Sequence, residues 1–390
     1  MRRPRVKSVF PPFPINDRTI RVGGADFGLA AEFTDDEQRH LWQLLRLLDG
    51  TRTTAEIVAQ MRARDPAVPP ADVEGAIRML ADAGYLEDAD TPPPDVFSAE
   101  EVERYRRNDE FFSYYHHPPL TGYDFQARLR RSRVTVLGIG GLGSYVALAL
   151  AAAGVGDLLL VDDDEVELHN LNRQVLYTGA DVGAPKTDAA ARRVAQANPH
   201  VAVSTLTRRV SGVADARDCM RGRDLLVCAA DRPRIRIYDW LNEASITERV
   251  PWFRGANDGL TVNVFLHAPG RTACFACEQR RALANVPGYA AMLEHAMHVV
   301  GDRTVNPCTA PVSGLIGSLV ALEAVKFLSG VAPPVVLNRK LIFDLQTMQI
   351  RFNDGVRDPD CDACGHLDEP ALDPAAPDPA ETPMAQAVTS

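Results

Sequence analysis

The chain has 390 residues, 46% hydrophobic and 24% charged, the proportions of an ordinary globular protein long enough for two domains. Its formal net charge of −10 argues against broad attraction to nucleic acid or anionic membrane. "SVFPPFPIND" follows the basic Met1 to Lys7 where a signal peptide needs an unbroken apolar run, and the longest apolar stretch, Tyr145 to Val161, is interrupted by Gly154, Gly156 and Asp157, so a cytoplasmic location is expected.

Residues 1–90 read as a small α+β domain. "TIRVGG" and "GLAAEF" suggest short strands, and Leu41, Leu44, Leu45, Leu47 and Leu48 lie on one face of a helix that Gly50 stops. Thr53 or Thr54 caps a second helix, "AEIVAQM", and Pro70 or Ala71 opens a third, "DVEGAIRMLADAG", which runs into "YLED". Three helices and a hairpin predict a winged-helix-like module. DNA is a poor partner for it, because Asp72, Glu74 and Asp82 outnumber Arg78 on the third helix. Residues 91–100, containing "TPPPD", form a proline-rich linker.

From 101 to 365, strands and helices alternate: Val134 to Gly138, Leu142 to Ala153, Asp157 to Asp162, Pro185 to Gln196, Val201 to Leu206, Leu225 to Ala230 and Pro233 to Glu243. Such alternation predicts a Rossmann-like, mainly parallel sheet with helices on both faces. "LTVNVFLH" and "KLIFDLQTMQIRF" are expected to add antiparallel strands to it. The tail, 366–390, is rich in proline, alanine and acids and is expected to be disordered.

Gly138, Gly140, Gly141 and Gly143 make a tight turn from a buried strand into an apolar helix, a layout that brings backbone N–H groups and a helix N-terminus to phosphate. Asp162 ends the next strand, where a dinucleotide fold holds a ribose. A nicotinamide dehydrogenase has the same two features, but the residues downstream of Asp162 do not suit one. Arg173 and Lys186 suit a triphosphate, and Asp231, at the end of "DLLVCAAD", suits magnesium. The combination reads as ATP, with Asp164, Asn170 and Gln174 beside it. For Asp164 a turn or capping role is the alternative.

Four of the seven cysteines fall as Cys274-x-x-Cys277 and Cys361-x-x-Cys364, the count for a closed tetrahedral structural zinc. Cys219 and Cys228 lie in predicted helix and strand and read as small core residues. Cys308, in "VNPCTAPVSG", is either a pocket-lining residue or a nucleophile.

"GIGGLG", "DDDEVELHNLNRQ", "GAPK", "CAADRPRIR", the paired C-x-x-C motifs and "APVSGLIGSLVALEAVKFLSG" together resemble, in order over about residues 100–365, the ubiquitin-activating-enzyme-like superfamily of the ThiF, MoeB and HesA type. The resemblance implies a homodimer that adenylates a C-terminal carboxylate with magnesium ATP. It implies phosphate contacts for Asn170, Arg173, Gln174 and Lys186, and magnesium on Asp231. "RYRRN" resembles the family's "RYxRQ", which implies that Arg107 reaches the partner subunit's site, with Asn108 in place of the usual Gln. Residues 15–88 resemble the PqqD-like peptide-recognition domains of peptide-modifying branches, which implies a leader peptide added as a strand beside the hairpin.

The leading expectation is therefore an adenylyltransferase acting on a ribosomally synthesised precursor peptide in natural-product biosynthesis. Two rivals stay open: an activator of a ubiquitin-like sulfur carrier, and a non-enzymatic leader-binding scaffold for a YcaO-type cyclodehydratase.

Overall fold

The computed structural model describes residues 1–24, 30–115, 118–295 and 307–368. The expected disordered tail lies outside them apart from its first three residues. Two compact units divide the described chain, one from Met1 to Ala127 and the other beginning at Arg128.

In the first unit, β1 (Pro4–Val6) pairs antiparallel with β5 (Leu86–Asp88), and β2 (Pro12–Pro14), β3 (Thr19–Val22) and β4 (Ala31–Thr34) form a separate three-stranded sheet. β2 carries two prolines, which an edge strand tolerates. Three helices follow as the apolar spacing predicts: α1 (His40–Leu47), α2 (Thr54–Arg64) and α3 (Pro70–Asp82). Thr53 and Glu56 close a reciprocal capping box on α2, and Val73, Ile77 and Leu80 line the buried face of α3. These residues share one core with Ile20, Val22, Leu44, Ile57 and Leu86. α4 (Ala99–Arg104), α5 (Arg106–Phe112) and α6 (Gly122–Arg131) were not foreseen, and the division between the units falls within α6.

The second unit is built on an eight-stranded sheet. Its strands are β6 (Arg133–Leu137), β7 (Asp157–Asp162), β8 (Ala202–Thr207), β9 (Leu225–Cys228), β10 (Trp252–Asp258), β11 (Thr261–His267), β12 (Arg339–Asp344) and β13 (Ile350–Asp354), in the order β13-β12-β11-β10-β9-β6-β7-β8. β8, β7, β6, β9 and β10 run parallel, and β11, β12 and β13 extend the sheet antiparallel. β6 and β9 are buried almost throughout, as strands covered on both faces must be.

Helices α7 (Gly141–Ala153), α8 (Lys186–Ala197) and α13 (Ala310–Ser329) pack together in one layer. A Cβ on Gly255 of β10 would meet Leu142, Ile316 and Val320, so this layer covers that face of β10. On the other face, Trp252 shares a core with α9 (Val213–Met220), α10 (Arg236–Glu248) and Phe275 of α11 (Phe275–Asn285); α12 (Tyr289–Glu294) follows α11. The expected mainly parallel sheet with helices on both faces is present.

Candidate active site

The glycine turn sits where the parallel strands end, and its four glycines have different reasons to be glycine. Gly138 has φ +85°, and a Cβ there would lie 2.7 Å from the backbone nitrogen of Ala230. A Cβ on Gly143 would lie 1.8 Å from the Gly138 carbonyl oxygen. On Gly141 it would meet Ser313 Oγ at 2.7 Å. Gly140 is different: nothing comes nearer than Gln174 Nε2 at 3.8 Å. Gly140 also caps α7 with no side chain on the first-turn N–H groups, which leaves them for an anion.

Gly138, Gly140, Gly141, Asp162, Asp164, Asn170, Arg173, Gln174, Lys186 and Asp231 line one cavity; Gly143 is buried outside its lining. Asp162, at the end of β7, accepts Ile139 N–H at 2.5 Å and Asp164 N–H at 2.9 Å, which fixes both oxygens and leaves each a lone pair for a ribose hydroxyl. Burial raises its pKa above the usual carboxylate range, against the pull of Lys186. Lys186, itself buried, donates to Asp164 Oδ2 at 2.7 Å. Asp164 thus acts as the counter-ion of the lysine.

Arg173 donates to the His169 carbonyl at 3.1 Å and to Asn172 Oδ1 at 3.0 Å, and its Cδ passes beside Gly141. Asn170 accepts Glu167 N–H at 3.0 Å and closes a short 3-10 turn, so part of its side chain serves the loop. Gln174 is buried with its Oε1 unpartnered, an arrangement that a bound donor would relieve. Asp231 is exposed to the cavity just past β9. A single carboxylate there is compatible with magnesium, which completes its shell with phosphate oxygens and water. Arg107 belongs to the first unit, on α5, where its exposed side chain pairs with Glu110 at 2.5 Å.

The four predicted zinc ligands converge. Their Sγ atoms all lie within 4.8 Å of one another, with Cys274 3.8 Å from both Cys277 and Cys361, and Cys277 3.5 Å from Cys364. These separations are far too long for disulfides and close to the ~3.8 Å edge of a tetrahedron with ~2.3 Å zinc–sulfur bonds. The Asp358 N–H donates to Cys277 Sγ at 3.4 Å. Hydrogen bonding from Cys274 and from this N–H favours the Cys277 thiolate and lowers its pKa. Four buried thiols in this arrangement fit zinc. Cys219 and Cys228 are core residues on α9 and β9, each pushed up to about 12 by burial. Cys308 is half-buried in the cavity wall, with Sγ 3.1 Å from Ser313 Oγ.

Several cavity residues were not foreseen. Arg254 on β10 meets both carboxylate oxygens of Glu278, at 3.1 and 3.4 Å, and lies 5.0 and 5.4 Å from the ring centres of Tyr238 and Phe275. Lys340 on β12 approaches the same carboxylate at 3.7 Å. The signal available was a lone Arg and a lone Lys inside apolar strands, "WFRGA" and "RKLIF", since a charge buried there needs a partner. The cavity measures about 2420 Å³, more than twice the ~1,000 Å³ upper end of pockets for drug-sized ligands.

The ThiF family profile matches residues 115–363. Molybdopterin-synthase adenylyltransferase of Escherichia coli K12 is 34% identical over 250 residues, 63% of this chain and 93% of the relative. The sulfur carrier protein ThiS adenylyltransferase of the same organism is 33% identical over 246 residues, 62% of this chain and 89% of its own. Among solved structures, E. coli MccB with AMPCPP and MccA matches with a TM-score of 0.75 at 21% identity, over 93% of this chain and 99% of that one.

Proposed function

This chain belongs to the ThiF family and is an adenylyltransferase, and from that premise we propose that it activates the C-terminal carboxylate of a ribosomally synthesised precursor peptide in natural-product biosynthesis. One observation carries the choice of substrate. The fold of MccB, solved with MccA, superposes on 93% of the chain and 99% of that protein, while the sequence alignments to the molybdopterin-synthase and ThiS adenylyltransferases cover 63% and 62% of it. A match over 93% of the chain leaves too few residues out to omit residues 1–90, the greater part of the first unit, and to these we assign leader binding.

In this reading Asp162 holds the ribose, and the N–H groups of the glycine turn approach the phosphates with Arg173 and Lys186. Asp231 would hold magnesium, which neutralises phosphate charge. An oxygen of the peptide carboxylate forms a bond to the α-phosphorus, the bond from that phosphorus to the bridging oxygen of the β-phosphate breaks, and pyrophosphate leaves with the electron pair. A carboxylate is already ionised at neutral pH, so no general base is required, and catalysis consists of positioning and charge neutralisation. Arg107 would come from a second copy, which makes the working form a homodimer, and we place it in the cytoplasm. The reaction is tested by incubating the chain with magnesium ATP, hydroxylamine and a pool of synthetic peptides with free C-terminal carboxylates. A C-terminal hydroxamate and one equivalent of AMP are expected.

The identities to molybdopterin-synthase and ThiS adenylyltransferases favour a second reading, activation of a sulfur carrier ending in Gly-Gly. AMP formation with such a carrier and none with the peptides would select it.

A further inference from the structure

The cavity runs well beyond the glycine turn, and its floor follows one row of the sheet. Leu137 on β6 is the register partner of Cys228 on β9, Cys228 of Arg254 on β10, and Arg254 of Phe265 on β11. The pairing of Val264 with Leu341 carries the row on to Lys340 of β12. Residues abreast in a sheet share a face, and Leu137, Arg254, Phe265 and Lys340 all line the cavity. Strands are spaced ~4.8 Å apart, so the row covers ~14 Å from β9, where Asp231 follows, to β12, the length of about four extended residues.

Charge along this floor is uneven. Arg254 directs Nη2 to both oxygens of Glu278 and lies over two aromatic rings, which fixes its guanidinium against the wall. Lys340 lies 3.7 Å from the carboxylate that Arg254 already occupies, beyond hydrogen-bond reach, and its ammonium keeps donors for the cavity. Asp258, the other carboxylate whose field reaches both cations, is held by Asn263 Nδ2 at 2.7 Å. Two cations therefore share one contacting carboxylate.

We infer that Lys340 reads an acidic side chain about four residues before the carboxylate that is adenylated, so that the substrates are peptides with Asp or Glu near that position. This rests on the proposed peptide adenylation. A lysine that only neutralises Glu278 would leave substrate choice unchanged, and that difference is measurable.

The test uses a randomised octapeptide pool with free C-terminal carboxylates, magnesium ATP and hydroxylamine, with the hydroxamates sequenced by mass spectrometry. Wild type should enrich Asp and Glu over Asn and Gln about tenfold near the fourth position, the worth of one charge-assisted hydrogen bond. Lys340→Met, melting with wild type, should lose that preference while still forming hydroxamates, and Lys340→Glu should replace it with one for Lys and Arg. Acid enrichment that survives in Lys340→Met, or its absence from wild-type products, overturns the inference and leaves peptide adenylation standing. No hydroxamate from any peptide removes the peptide reading, and the inference with it.

Discussion

Gly140 and Gly143 stand three residues apart in one motif, yet substitution should separate them. A methyl at position 143 would lie 1.8 Å from a backbone oxygen, so Gly143→Ala is expected to be recovered unfolded or with a sharply lowered melting temperature. Gly140→Ala has open space and costs about 1 kcal/mol as a changed helix cap. It should fold, and raise the KM for ATP about tenfold by standing where phosphate approaches. Equal loss of folding in both would contradict the division between a packing glycine and a ligand-facing one. That the glycine turn, Asp162, Arg173 and Lys186 fall around one cavity was legible in the sequence, because the turn, Asp162 and Lys186 lie at strand ends or helix starts that their neighbours specify and Arg173 follows closely in the loop between them. Arg254, Glu278 and Lys340 were not, because strand pairing brings β10 and β12 to either side of β11 and the packing of α11 on the sheet brings Glu278 to both, from segments far apart in the chain.

At the level of elements, α11 begins at the four-cysteine cluster: Cys274 caps it and Cys277 is in its first turn, while Cys361 and Cys364 come from the loop after β13. Arg280 on the same helix reinforces this join, donating to Asp358 at 3.0 Å and Asp362 at 2.6 Å. Because binding closes a loop of more than eighty residues, zinc should contribute directly to stability. One zinc per chain is expected, and its removal by chelator, verified by metal analysis, should lower the melting temperature; unchanged melting would rule out a structural role. The C-x-x-C spacing made this site readable. Less readable were β1 and β2, for "PRV" and "PFP" have no alternation and owe their strand conformation to β5 and β3. β10 was missed for a similar reason: the buried Trp252 and Phe253 are followed by Arg254, Gly255 and Asn257, which break the apolar run that marked β9.

For the whole molecule, the family sets the reaction, and leader binding by residues 1–90 is the proposal that sets the substrate. Residues 115–363 carry the ThiF match, and the winged-helix-like reading of residues 1–90 anticipated three helices and a hairpin, where the structure has α1, α2 and α3 beside two small sheets. The identity of the peptide was not legible, since recognition of a leader depends on a surface rather than a motif. ATP–pyrophosphate exchange by the purified full chain tests the central claim most directly, with a pool of synthetic peptides, the same pool amidated at the C-terminus, and Asp231→Asn as control. The account predicts exchange that requires the free C-terminal carboxylate and disappears in Asp231→Asn. Exchange indifferent to amidation, or tight peptide binding with no exchange, would contradict it.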